Sequence, residues 1–79
     1  SDSYLIDSYL IDSYVKIDSY SQGKSLDKDG NKLNGSSKNM GKNDLWIAST
    51  ANVLECPLVT CDGDFTHLNE TIIDVINIK

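Results

Sequence analysis

Three aspartates carry the residue type and the spacing that chemistry needs. Asp44 stands directly before an apolar run in NDLWIASTA, residues 43–51, and Asp62 and Asp64 follow another in LVTCDGDF, residues 58–65. Carboxylates that meet at one point repel each other unless something positive joins them. A group of oxygen ligands is what a hard cation such as Mg²⁺ takes, typically one or two protein carboxylates completed by water and phosphate. A cation so held polarises a phosphodiester and acidifies water. The plainer reading is that Asp44 only complements the positive end of a helix and that Asp62-Gly63 is only a turn. Spacing alone leaves both open.

The elements that must position these side chains are legible from residue 43 onward. Asn43 is a fair N-cap. Ile47, Ala51 and Leu54, joined by Ala48, make one apolar stripe at helical spacing, and Pro57 stops the helix near 55. Residues 58–60, LVT, read as a short buried strand with Cys61 at its end. Residues 62–64 form a turn, and Phe65 to Leu68 a single helical turn. TIIDVINI, 71–78, has the β-branched content of a second strand. Helix, strand and strand in this order predict a small parallel sheet packed by helices, the α/β class. In such sheets ligands bind beyond the carboxyl ends of the strands. A helix antiparallel to the strand that follows it starts at that same edge, so Asp44 and the pair Asp62 and Asp64 are expected to converge there.

The upstream half is of another kind. SYLID occurs at 3–7 and 8–12, followed by SYVKID at 13–18. A five-residue period suits neither regular element, but Ile6, Leu10, Tyr14 and Ile17 form a helical stripe, predicting a helix over 5–21 that ends near Gly23. The repeat is too short for a stacked solenoid. Residues 22–42 are a polar loop rich in Lys, Gly and Asn, with a candidate hairpin turn at Asp29-Gly30. The stretch DKDGN fails as a calcium loop. With Asp27, Asp29 and Asn31 as its first ligands, Lys32 stands at the glycine position and Lys38 at the bidentate glutamate position. Three segments result: 1–21 the repeat, 22–42 the loop, and 43–79 the α/β half.

Composition bounds the rest. Seventy-nine residues, 39% of them hydrophobic, make at most one small domain. The net charge of −5 argues against a general nucleic-acid binder, but five of the seven lysines (Lys24, Lys28, Lys32, Lys38, Lys42) lie in one stretch. No apolar run approaches the roughly 20 residues that span a bilayer, no signal peptide is visible, and the chain opens on Ser1 rather than Met. Cys56 and Cys61 flank the first strand, about 13–16 Å apart if 58–61 is extended, beyond the roughly 7 Å of a disulfide; free thiols fit a reducing compartment. Trp46 and the tyrosines read as packing residues, with base stacking as the alternative. His67 reads as a surface residue at the rim of the site.

NMGKNDLWIASTA followed by LVTCDGDFTHLN resembles the C-terminal half of a PIN-domain ribonuclease of the VapC toxin type. The family's helix motif D-x-x-I-A-x-x-A is matched by Asp44, Ile47, Ala48 and Ala51, and its strand-end motif T-x-D-x-D-F by Thr60, Asp62, Asp64 and Phe65. The resemblance extends over about residues 14–79. It implies a truncated PIN-like three-layer α/β arrangement, its small parallel sheet flanked by helices. It also implies Mg²⁺- or Mn²⁺-dependent endonuclease chemistry on RNA, often tRNA, in a cytoplasmic protein that works as a homo-oligomer with an antitoxin partner. Asp44 and Asp62 would be metal ligands and Asp64 a further ligand or water-binding acid. Thr60 would hold the carboxylates by hydrogen bonds. Apart from the resemblance, Asn43 reads as a supporting residue at the helix start, and the Lys-rich loop reads as a solvated segment, with contact of Lys38 and Lys42 to an RNA backbone as the alternative. The family's opening strand and its acids are absent. YLIDSYLI, 4–11, echoes that strand faintly, with Asp7 or Asp12 as surrogates for the first acid. The alternative reading is an inactive remnant of such a domain, acting as a structural or self-associating module.

Overall fold

The computed structural model of the chain describes residues 2–78, with the side chains of the first helix from Leu5 onward. Helix α1, Asp2–Ser21, is followed by the loop and by helix α2, Lys42–Leu54. Strand β1, Leu58–Thr60, leads into a 3-10 helix, Gly63–Leu68, and strand β2, Val75–Asn77, closes the order. The two strands pair in parallel with Leu58 opposite Val75 and Thr60 opposite Asn77. This is a small α/β fold. No helix among the described residues is long and apolar enough to cross a membrane.

Both helices end the same way, for different chemical reasons. At the end of α1, Gly23 N–H donates to Tyr20 C=O and Lys24 N–H to Ser19 C=O, with Gly23 at φ +78°. That is the left-handed turn for which glycine has no steric cost. At the end of α2, Glu55 N–H donates to Asn52 C=O and Cys56 N–H to Ala51 C=O, but the left-handed residue is Glu55 at φ 54°. A side chain in that conformation costs about 1 kcal/mol. Glu55→Gly is therefore expected to stabilise the fold by about 0.5–1 kcal/mol, read as a higher urea midpoint at unchanged slope. A lower midpoint would mean that the glutamate side chain contributes more than its backbone strain costs.

The core gathers Ile17 and Tyr20 of α1, Leu45, Ala48 and Ala51 of α2, Phe65 and Leu68 of the 3-10 helix, and Ile72, Ile73 and Val75. The apolar stripe expected on α2 is rotated. Ala48 and Ala51 are buried as the spacing implies, but Ile47 and Leu54 are exposed, and Leu45 and Ser49 take the inner positions. Small side chains at 48 and 49 suit a helix face packed against α1. Ser49 is buried without cost because its hydroxyl donates to Leu45 C=O at 2.6 Å. The α1 stripe is covered only at its C-terminal end: Ile17 is buried, Leu10 and Tyr14 are half-buried, and Ile6 is exposed. Twenty residues of helix run about 30 Å and thirteen only about 20 Å, so the longer helix outreaches its neighbour.

The second strand is shorter than the β-branched run 71–78 implies. Leu68 C=O accepts from the N–H groups of Thr71, Ile72 and Ile73, and Glu70 turns left-handed at φ 62°. Ile72 and Ile73 are both buried, which adjacent residues of a strand packed on one face do not achieve. Asp29-Gly30 forms a turn with no strands beside it. The Asp27 carboxylate closes that turn, accepting from Asp29 N–H and Asn31 N–H at 2.8 and 2.9 Å. The sheet keeps its core on one face, through Leu58 and Val75. On the other face Val59, Ile76 and Ile78 are exposed.

Candidate metal centre

Asp44 occupies the first turn of α2, where a carboxylate complements the helix dipole. The N-cap of α2 is Gly41, which offers no side-chain hydrogen bond, and Asn43 lies inside the helix, exposed. Asn43 is thus not the cap that its residue type suggested. The register is fixed one turn earlier, where Leu45 N–H donates to Gly41 C=O at 3.0 Å.

Asp62 follows the end of β1 and caps the 3-10 helix, its Oδ1 accepting from Asp64 N–H at 2.9 Å. Thr60 contributes differently from the expected role. Its Oγ1 accepts from the Asp62 backbone N–H at 3.0 Å, so it fixes the main chain and not the carboxylates. Two consecutive side-chain-to-backbone bonds thus stiffen the path from Thr60 to Asp64 and aim both carboxylates to one side.

The structure brings Asp44, Asp62 and Asp64 together: one carboxylate oxygen from each lies within 4.8 Å of the others. Asp44 is half-buried and the other two are exposed. The donor set fits a hard divalent cation. With bonds of about 2.0–2.1 Å, oxygens on a Mg²⁺ octahedron lie roughly 3 Å apart when adjacent and 4 Å when opposite. Neither Asp7 nor Asp12 joins the cluster. Their segment, the faint echo of an opening strand, is helix α1, and Asp7 lies beside Leu10, Ile11 and Trp46.

A cleft of about 270 Å³ opens beside the carboxylates, lined by Lys38, Met40 and Gly41 together with Asp44, Gly63 and Asp64. Lys38 therefore borders the site with a positive charge. Lys42, the first residue of α2, is exposed and outside that cleft. Trp46 packs on Tyr14 with ring centroids 4.4 Å apart and keeps part of its surface exposed. Tyr20 is buried and Tyr9 exposed. Both cysteines are free and exposed.

His67 corrects the sequence reading most clearly. It is half-buried, with Nε2 2.7 Å from the Oγ of the fully buried Ser21, while Ser21 Oγ also lies 3.3 Å from Met40 Sδ. This clamp joins the end of α1, the loop before α2 and the 3-10 helix that carries Asp64. Burial, and then the charge of Lys38, push His67 below its usual 6.5, with Asp64 pulling weakly the other way. The unfolded chain then takes up the proton first. Stability is complete above pH 6.5 and falls as the pH drops from there towards the depressed value of the folded state. The urea midpoint should decline over that interval, and His67→Gln should flatten the decline. Equal slopes for both proteins would remove His67 as the cause.

No family model, curated protein or solved structure matches the chain. Fold and site together define a class in physical terms: a small α/β chain with three clustered aspartates at the carboxyl edge of a parallel strand.

Proposed function

We propose that this chain is a metal-dependent endoribonuclease, a VapC-like PIN toxin of a type II toxin–antitoxin system or a truncated form of one. In this reading it hydrolyses RNA phosphodiester bonds with Mg²⁺ or Mn²⁺ bound by Asp44, Asp62 and Asp64. The observation that carries the reading is the convergence of those three carboxylates, from two separate motifs, within 4.8 Å. When bound, the cation supplies charge to polarise a phosphodiester and to acidify water.

The chain's own residues do the rest. Asp44, placed by the first turn of α2, and Asp62, fixed by its cap, would hold the cation. Asp64 accepts a proton or orients water from the exposed rim. Lys38, at the mouth of the cleft, offsets phosphate charge that the aspartates would otherwise repel. RNA, tRNA among the candidates, is the substrate. A cytoplasmic setting, an antitoxin protein and a homo-oligomer are the context of this proposal.

A second reading is an inactive, self-associating remnant of such a domain. It is favoured by the uncovered sheet face at Val59, Ile76 and Ile78, because parallel sheets are normally covered on both faces. Purified chain incubated with RNA and Mn²⁺ decides between the two. Metal-dependent cutting that drops by about a hundredfold or more in both Asp44→Asn and Asp62→Asn supports the nuclease. Equal signals from all three proteins, or none, leave the remnant.

A further inference from the structure

The loop between the helices holds a peptide unit that the fold leaves open to reaction. Asn34-Gly35 is the one Asn-Gly pair in the chain. Both residues are exposed at a bend, and Gly35 lies at φ +99°. No backbone carbonyl among the described residues accepts from the Gly35 N–H. Beyond its chain neighbours, no atom lies within 4 Å of the point where a side chain at Gly35 would begin. An amide nitrogen that is unbonded and unshielded can meet the carboxamide of the residue before it. The two groups are tethered, so the encounter is intramolecular and needs only a turn of the backbone, which glycine allows.

A short acidic side chain followed by glycine occurs twice more, and in both places the fold blocks the same encounter. At Asp29-Gly30 the Gly30 N–H donates to Asp27 C=O at 3.1 Å, and the Asp29 N–H is held by the Asp27 carboxylate. At Asp62-Gly63 the Asp62 Oδ1 accepts from Asp64 N–H at 2.9 Å, and Gly63 already begins the 3-10 helix. The other asparagines precede larger residues, whose side chains crowd the amide nitrogen. Two of them are also tied down: Asn69 accepts from Val75 N–H and Asn77 donates to Thr66 Oγ1.

We infer that Asn34 is a self-modification site, converted through a cyclic imide by the backbone of Gly35. The Gly35 amide nitrogen, deprotonated by hydroxide or a buffer base, attacks Asn34 Cγ. A ring C–N bond forms, the bond from Cγ to the side-chain nitrogen breaks, and that nitrogen leaves as ammonia with a proton from water. Water then adds to either carbonyl of the five-membered ring and opens it. The result is an aspartyl or an isoaspartyl residue at position 34. Amide and water have become carboxylate and ammonium, with no oxidant or reductant involved. Each conversion makes the net charge of −5 more negative by one, and the isoaspartyl form carries an extra carbon in the main chain. The fold accommodates both. Leu33 packs on the core and Lys38 N–H donates to Ser21 C=O at 2.7 Å, so the change falls on exposed residues 34–37 between those anchors. The site is independent of the nuclease reading, since neither Asn34 nor Gly35 lines the aspartate cleft.

Ageing the purified full chain in neutral and alkaline buffer, native and in urea, tests it. Peptide mass spectrometry should find the mass gain of an amide turned to an acid at Asn34, faster at the higher pH and matched by ammonia release. An isoaspartyl methyltransferase with labelled S-adenosylmethionine, used as a probe, should label aged chain and not fresh chain. The native rate should lie within about fivefold of the rate in urea, because a site held by no bond opens at almost no cost. Gly35→Ala should slow the conversion by roughly tenfold or more, since a side chain there hinders the approach, and Asn34→Gln should lose essentially all of it. Circular dichroism should show the aged, more acidic chain with wild-type helix content. A native rate more than about fivefold below the urea rate would overturn the inference, because the fold would then be shielding the site. So would label in the native chain that survives Asn34→Gln, which would place the chemistry at Asp29 or Asp62.

Discussion

Mn²⁺ added to the metal-free chain is expected to raise its melting temperature by roughly 10–20 °C, and Asp62→Asn to lose most of that rise. The first figure follows from linkage: a ligand at a hundred times its Kd stabilises by about 2.7 kcal/mol, and each kcal/mol moves a domain of this size by about 4–8 °C. The substitution is chosen for its two opposite effects. Asparagine accepts a backbone hydrogen bond as well as aspartate does, so the cap on Asp64 N–H survives. Without metal, the variant removes one of three mutually repelling charges and should melt slightly above wild type. With metal, it has lost a ligand and should melt well below. A thermal melt of both proteins with and without Mn²⁺ reads the crossing directly, with no RNA present. Parallel shifts in the two proteins would show that the ion acts elsewhere, and the nuclease proposal would lose its centre.

Leu68→Ala is expected to unfold the chain at room temperature. Leu68 is fully buried where the 3-10 helix ends, and its carbonyl gathers the three N–H groups that begin the approach to β2. Truncating a buried leucine costs about 2–5 kcal/mol. A single core of this size rarely supplies more than about 3–5 kcal/mol in all. Circular dichroism should report a largely unfolded population, while Val59→Ala, on the exposed sheet face, should stay within about 0.5 kcal/mol of wild type. A cooperative, native-like melt of Leu68→Ala would mean that the core closes around the missing side chain. The same experiment bears on the site, because Leu68 anchors the short helix on which Asp64 rides.

The sequence by itself determined where the elements begin and end wherever a local signal existed. Pro57 stops α2, Gly23 stops α1, and Thr60-x-Asp62 ends a strand in side-chain bonds only two residues long. These signals act between near neighbours, so they survive without knowledge of the fold, and they already set the three aspartates at the ends of successive elements. What only the tertiary structure decided acts over long separations. Which face of α2 turns inward was settled by packing against α1, which left Ala48 and Ser49 buried in place of Ile47 and Leu54. His67 left the surface because Ser21, 46 residues away, offered it a buried hydroxyl. The approach of Asp44 to Asp62 and Asp64 belongs to this second kind. Residue order sets them at a common edge, but only the packing of α2 against the rest of the chain brings their oxygens within reach of one ion.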